Sequence, residues 1–243
     1  MNSRLQKIKT YFNHSHHYLS QTYDIRFRAH LIKKITGDLT HASILDLGCG
    51  DGSLSLQFQS DTNQITLVDI SETMLTIADS RIDPAFKKNI QLVRSSIESF
   101  ACGERFDLVI ASGVIAHAAS IDRVVATISR LMAPSGRAVI QLTDNDRPVS
   151  KMLSLYNDLL DGVTRRFTYK RNKITLTELL KIAKRHHLFP VEAYRYSLML
   201  PGMNTFIPDR LLYAFHEWTY RNTYLNRLST DIIMTFSKRT TLI

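Results

Sequence analysis

The chain has 243 residues, 44% of them hydrophobic, and a formal charge of +9. That length buries the core of one domain without a stapling metal or disulfide, and its two cysteines, Cys49 and Cys102, fit neither a disulfide framework nor zinc-ligand spacing. No apolar run approaches the roughly 18 residues of a membrane span, and the opening MNSRLQKIKTYFNHSHHY lacks the apolar centre of a secretory signal, so the expected location is the cytoplasm, with peripheral membrane contact left open.

Residues 3 to 37 have apolar positions at helical spacing, Leu31, Ile32 and Ile35 among them, and Gly37 as a stop, which predicts helix in two pieces. Five short apolar runs follow: SILDL (43–47), QITLVDI (64–70), IQLV (90–93), FDLVIAS (106–112) and GRAVIQL (136–142). Helical stretches separate them, LSLQFQ, SETMLTIADSR and IDRVVATISRLM. Strands apolar almost throughout, alternating with helices, are those of a mostly parallel sheet covered on both faces. After Leu142 the pattern predicts a loop, a helix and a basic connection, then a helix at TLTELLKIAKRHHL capped by Thr175 or Thr177, and a strand at VEAYRYSLML. An aromatic insertion, 201–228, with a helix from Pro208, precedes the last strand, TDIIMTFSKR. The expected organisation is one domain over 1–243: N-terminal helices or lid (1–40), a ligand-binding core (41–145), and the rest of the sheet with its insertions (146–243).

The stretch ILDLGCGDGSLS, Ile44 to Ser55, puts Gly48, Gly50 and Gly52 after the first strand. Glycines there let a ligand approach the backbone, and a helix following the turn would aim N–H groups at it; the crevice lies outside the carboxyl ends of the strands. A dinucleotide fingerprint would need glycine where Ser53 stands. Asp46 and Asp51 beside a pyrophosphate would repel it by roughly a kcal/mol or more per close pair, so the charges favour a cationic ligand without phosphate.

LDLGCGDGSLS resembles the first motif of class I S-adenosylmethionine-dependent methyltransferases, and four further stretches agree in order. LVDIS is similar to the family's second-strand end; the resemblance makes Asp69, with Ile70 beside it, the acceptor of both ribose hydroxyls. Met74 takes the place of the apolar residue near the adenine. SSIESF puts Ser96 where the family has its adenine-reading acid, and Ile97 at the backbone donor. FDLVIASGVIAH resembles the fourth strand and its loop, with Ser112 and Gly113 on the methyl-donor channel, and LMAPSGRAVI resembles the entry to the fifth strand. The resemblance therefore implies a seven-stranded, mostly parallel Rossmann-like sheet and S-adenosylmethionine as cofactor, held by Asp46, Gly48, Cys49, Gly50 and the residues just named, with Tyr23 closing over its methionine end.

The acceptor is harder to read, because methyl transfer needs alignment and water exclusion more than a fixed catalytic group. His117, after the fourth strand, is the candidate base; its alternative is a structural loop histidine. No N/D-P-P-Y/F motif follows that strand, which lowers nucleic acid. The expected acceptor is a small molecule, natural product, lipid or glycan, methylated on O or N, with an anionic or lipid-like acceptor suited to the basic surface. The alternative is RNA or protein, supported by residues 162–187, where eight Lys or Arg face one acid, Glu178. His14, His16 and His17 lack a partner at ligand spacing, so no metal site is expected. The aromatic insertion, Phe206 to Tyr224, is expected to roof the acceptor together with the N-terminal helices.

Overall fold

Strands buried on both faces must be apolar at successive positions, and β1 (Ser43–Leu47) meets this requirement after its half-buried first residue, Ser43, except at Asp46. In a computed structural model, which describes residues 3–13, 22–164, 171–198, 200 and 203–238, this strand lies centrally in a seven-stranded sheet. The others are β2 (Gln64–Asp69), β3 (Ile90–Arg94), β4 (Phe106–Ser112), β5 (Met132–Thr143), β6 (Leu188–Tyr196) and β7 (Asp231–Lys238), in the order β3-β2-β1-β4-β5-β7-β6. All neighbours pair in parallel except β7, which runs antiparallel between β5 and β6. Side chains alternate faces along each strand. Leu45, Leu47, Val109 and Ile140 join one core, while Ile44, Ile65, Ile110 and Val139 join the other.

Helices cover both cores. The two N-terminal pieces are α1 (Ser3–Asn13) and α2 (Thr22–Thr36); α2 stops at Gly37, whose φ of +71° removes it from the helix while its N–H still reaches Lys33 O. The following helices are α3 (Glu72–Arg81), α4 (Ile121–Leu131), α5 (Pro148–Thr164), α6 (Leu176–Arg185), a short α7 (Met203–Phe206), α8 (Asp209–Arg221) and a short α9 (Thr223–Asn226). Thr175 caps α6 in a full capping box with Glu178. Leu131, Leu179 and Ala183, from α4 and α6, are sealed in the first core, and Phe27, Leu31 and Ile32 of α2 in the second.

Three expectations are corrected. LSLQFQ forms only a 3-10 turn over Leu56–Phe58 rather than a helix behind the glycines. Its polar groups are engaged elsewhere: the Ser55 hydroxyl donates to Asp46 and Gln57 donates to Ala29 O and Leu54 O. β6 begins three residues before VEAYRYSLML and contains Pro190, tolerated because β6 is an edge strand with an irregularity at Pro190/Glu192. Among the described residues the aromatic insertion lines no part of the cavity closed by α1. α8 packs on α2 instead, with Tyr213, His216 and Tyr220 around the Phe27 ring at 5.8, 6.1 and 5.9 Å, because residues spaced three and four apart share one helix face.

The expectations about His14, His16 and His17, and about Arg165, Arg166 and Lys170, fall outside the described residues. Among the described residues no helix is long and apolar enough to cross a membrane, and no group of three or more His, Cys, Asp and Glu is placed to hold a metal.

Candidate functional site

Gly48 turns the chain at the carboxyl end of β1 with φ +76°, and Gly50 and Gly52 follow at +55° and +76°. Such angles cost an L-residue roughly 1–2 kcal/mol each. Gly48 N and Cys49 N both donate to Val68 O, at 2.7 and 3.0 Å, which fastens the turn to β2. A Cβ on Gly48 would stand 2.3 Å from Val114 Cγ1 and 3.4 Å from Ile97 Cδ1. The missing side chain therefore lets Val114 pack directly against the turn.

Asp69 closes the next strand and opens onto the same space. Its Oδ2 accepts Gly50 N at 2.9 Å and its Oδ1 accepts Ser71 N at 2.8 Å. Each carboxylate oxygen keeps a second lone pair for an outside donor. Burial raises its pKa, while the N–H groups of Ser71 and Gly50 oppose the rise. Asp46 behaves differently. The period of β1 turns it toward the Ile44 face, where it is 1% exposed and accepts the Ser55 hydroxyl at 2.7 Å. Burial, with smaller repulsion from Asp69 and Asp51, lifts its pKa to about 7. Asp51 is also turned inward, ion-paired with Arg81 and accepting Ser53 N.

The opposite walls come from the loop after β4 and from α1. Leu5, Ile8 and Phe12 of α1 face Ile97, Val114, His117 and Ala118 across the cavity. Phe12 meets the His117 ring edge-on at 5.2 Å. At one end of α1 Arg4 Nη2 donates to Asn172 Oδ1 at 2.9 Å, and at the other Ser71 Oγ donates to Asn13 Oδ1 at 2.7 Å. Asn172 holds the loop as well: its backbone N donates to Ala116 O at 2.7 Å and its Nδ2 to Ile115 O and Ala118 O at 3.0 and 2.8 Å. Glu98 accepts Ala119 N at 2.7 Å and fixes the loop's far end. Burial lowers the His117 pKa to about 4, with smaller contributions from Arg171 and Arg4.

Because Asn172 joins this loop to Arg4 of α1 through its side chain, Asn172→Ala is expected to weaken ligand binding about tenfold and to cost on the order of 2 kcal/mol through unpaired carbonyls. Thermal melting and titration of the variant check this; wild-type values for both would remove Asn172 from the cavity's support.

The cavity brings together Gly48, Gly50, Asp69, Ile70, Ser96, Ile97, Ser112, Gly113 and His117. Asp46, Cys49 and Met74 lie behind its wall: Cys49 is 5% exposed with a thiol pKa raised first by burial, and Met74 is 1% exposed. Tyr23 sits in the first turn of α2, and its side chain is outside the described residues. Beneath Ser112 and Gly113, Arg28 donates to Ser112 Oγ at 3.3 Å and pairs with Asp24 at 3.0 Å. Sequence reasoning did not single out Leu5, Ile8, Phe12, Ser95, Glu98, Val114, Ala118 or Asn172. The α1 residues had only an amphipathic pattern to mark them, and Asn172 had no local signal.

Residues 38–188 match the family model described as a methyltransferase domain. A demethylmenaquinone methyltransferase of Lactococcus lactis is 31% identical over 131 residues, 51% of either chain. A ubiquinone/menaquinone biosynthesis C-methyltransferase of Psychromonas ingrahamii is 28% identical over 121 residues, 47% of this chain and 48% of that one. The chain thus spans about half the length of these curated relatives. The crystal structure of magnesium protoporphyrin IX methyltransferase from Synechocystis PCC 6803 with bound SAH superposes with a TM-score of 0.67 at 14% identity, covering 97% of this chain and 100% of that one. At that identity the likeness shows the fold.

Proposed function

The chain belongs to the class I S-adenosylmethionine-dependent methyltransferases, and from that premise we propose that it carries a methyl group to an oxygen of a small, apolar and partly aromatic acceptor that bears or develops negative charge. The residues present fit the cofactor. Asp69 offers two acceptor lone pairs to a diol, Gly48 and Gly50 bring backbone without side chains to the cavity, and the ionisable groups lining it among the described residues, Asp69, Glu98 and His117, include no Lys or Arg to receive a phosphate. Ionisation of Asp46 near neutral pH adds negative charge behind the turn, which favours a cation in front of it. When bound, S-adenosylmethionine supplies a methyl group already activated on a sulfonium.

The protein's own part is alignment, dryness and handling of the acceptor's proton. Gly48, Gly50 and Asp69 would hold the nucleoside side, and Leu5, Ile8 and Phe12 exclude water from the opposite side. The observation that carries the acceptor class is the position of His117: buried, edge-on to Phe12, and within the field of Arg171 and Arg4. That field stabilises an oxygen losing its proton and opposes a nitrogen acquiring positive charge. His117, neutral at pH 7, accepts a hydrogen bond from the acceptor's hydroxyl and orients it, while the burial and cationic field that keep the ring neutral oppose its holding the proton. Of the basic segment, Lys173, Lys181, Lys184 and Arg185 line a surface groove apart from the cavity, while Arg171 acts on His117.

The proposal is tested by calorimetry with S-adenosylmethionine, S-adenosylhomocysteine and NAD, then by labelled methyl transfer to a panel of phenols, catechols and amines. Binding of the two sulfur compounds and methylation at oxygen are expected; binding of NAD alone would overturn the cofactor, and N-methylation alone the acceptor. His117→Ala should lower turnover at saturating acceptor by about 10²-fold. With cofactor and acceptor both saturating, so that protonation of Asp46 near pH 7 acts on cofactor affinity and not on turnover, the wild-type rate should not fall with acid until pH approaches about 4, since the imidazole stays neutral above that value. A loss centred near pH 6.5 would show an ordinary solvated histidine.

A further inference from the structure

The helix α5 is amphipathic in the inverted sense. Ser150 is buried and Leu153 and Ser154 are half-buried against the protein, while Met152, Leu155, Tyr156, Leu159 and Leu160 are 47, 63, 36, 65 and 42% exposed. Their spacing of three and four places them in one stripe. A surface helix ordinarily turns such a stripe to the core, and contiguous exposed apolar patches mark interaction sites. The flanks are basic: between Arg147 and Lys173 the sequence holds seven Lys or Arg against Asp158 and Asp161. Arg147, Lys151 and Lys173 pair with Asp144, Asp146 and Asp158 at 3.7, 3.8 and 2.5 Å, so the positive excess is that of the sequence from Arg165 to Arg171.

We propose that the outward face of α5 lies on an anionic lipid bilayer, its apolar stripe in the headgroup boundary and its flanking Lys and Arg on the lipid phosphates. Apolar burial and attraction to anionic lipid add in this arrangement, and the excess of positive charge selects this occupant over a neutral apolar one. The placement has a consequence for the cavity. α5 follows the carboxyl end of β5, and Asn172, eight residues beyond the helix, is bonded to the loop bearing His117 and to Arg4 of α1. A docked α5 would bring the cavity's lid to the membrane surface, where an apolar acceptor resides. This deepens the acceptor reading above, although the docking itself stands on α5.

The test is flotation of the full chain with vesicles of phosphatidylcholine alone and of an equal mixture with phosphatidylglycerol. The mixed vesicles are expected to bind at least about tenfold more protein, less so at high salt, and the L155S/L159S double variant to lose about tenfold of that binding. Both leucines are exposed, so melting temperature and S-adenosylhomocysteine binding should be those of the wild type. Equal flotation of variant and wild type, or no preference for anionic vesicles, overturns the proposal. So does a lipid-free dimer, seen by light scattering, that the double variant converts to monomer, since a second copy would then cover the stripe. A wild-type chain that floats but binds no sulfur nucleoside would strike the methyltransfer reading and leave the docking intact.

Discussion

Replacing Gly48 by alanine is expected to abolish measurable S-adenosylmethionine binding, a loss of at least about 10²-fold. Two costs combine. The backbone at φ +76° disfavours any Cβ, and that Cβ would lie 2.3 Å from Val114 Cγ1. Val114 is β-branched, so its χ1 has few alternatives, and retreat would widen the loop that carries His117. The G48A/V114A pair separates the two costs. Removing the clash should restore about tenfold of the affinity, leaving the backbone cost of roughly 1–2 kcal/mol. Wild-type affinity in the single variant, measured by calorimetry, would show that the glycine turn is not a wall of the site.

The second large effect is expected at Asp69. Asp69→Ala deprives Gly50 N and Ser71 N of their acceptor together, so the turn loosens at the same time as the diol loses its partner. Binding should weaken by about 10²-fold or more, and folding stability by on the order of 2 kcal/mol. Asp69→Asn tells structure from recognition, because its amide must point a donor at one of two N–H groups. Titration of S-adenosylhomocysteine against its 2′-deoxy analogue gives the readout. The wild type should prefer the ribose compound by about tenfold or more, and D69N should hardly distinguish them. Equal preference in both proteins would confine Asp69 to holding the turn.

Much of the fold was legible because its signals are local. Apolar runs broken by helical periodicity define the strands, Gly37 ends α2, Thr175 and Glu178 cap α6, and three glycines after β1 mark the turn. The failures share a cause. LSLQFQ has helical spacing, yet Ser55 and Gln57 are drawn off by Asp46 and Ala29, partners nine and twenty-eight residues away. The aromatic insertion was legible as a helix face but not as a partner for Phe27, because amphipathy says that a stripe is covered and not by what.

The sequence by itself determined the sheet, the glycine turn and Asp69, since each depends on neighbours along one strand or one turn. Only the tertiary structure decided that Asp46 faces away from the cavity, that α1 roofs it, and that Asn172 ties α1 to the loop of His117 across 168 residues from Arg4. It also turned the apolar stripe of α5 outward. The physical reason is one: a side chain's type and spacing specify what it needs, burial or a partner, while the packing of distant elements specifies which atoms meet that need.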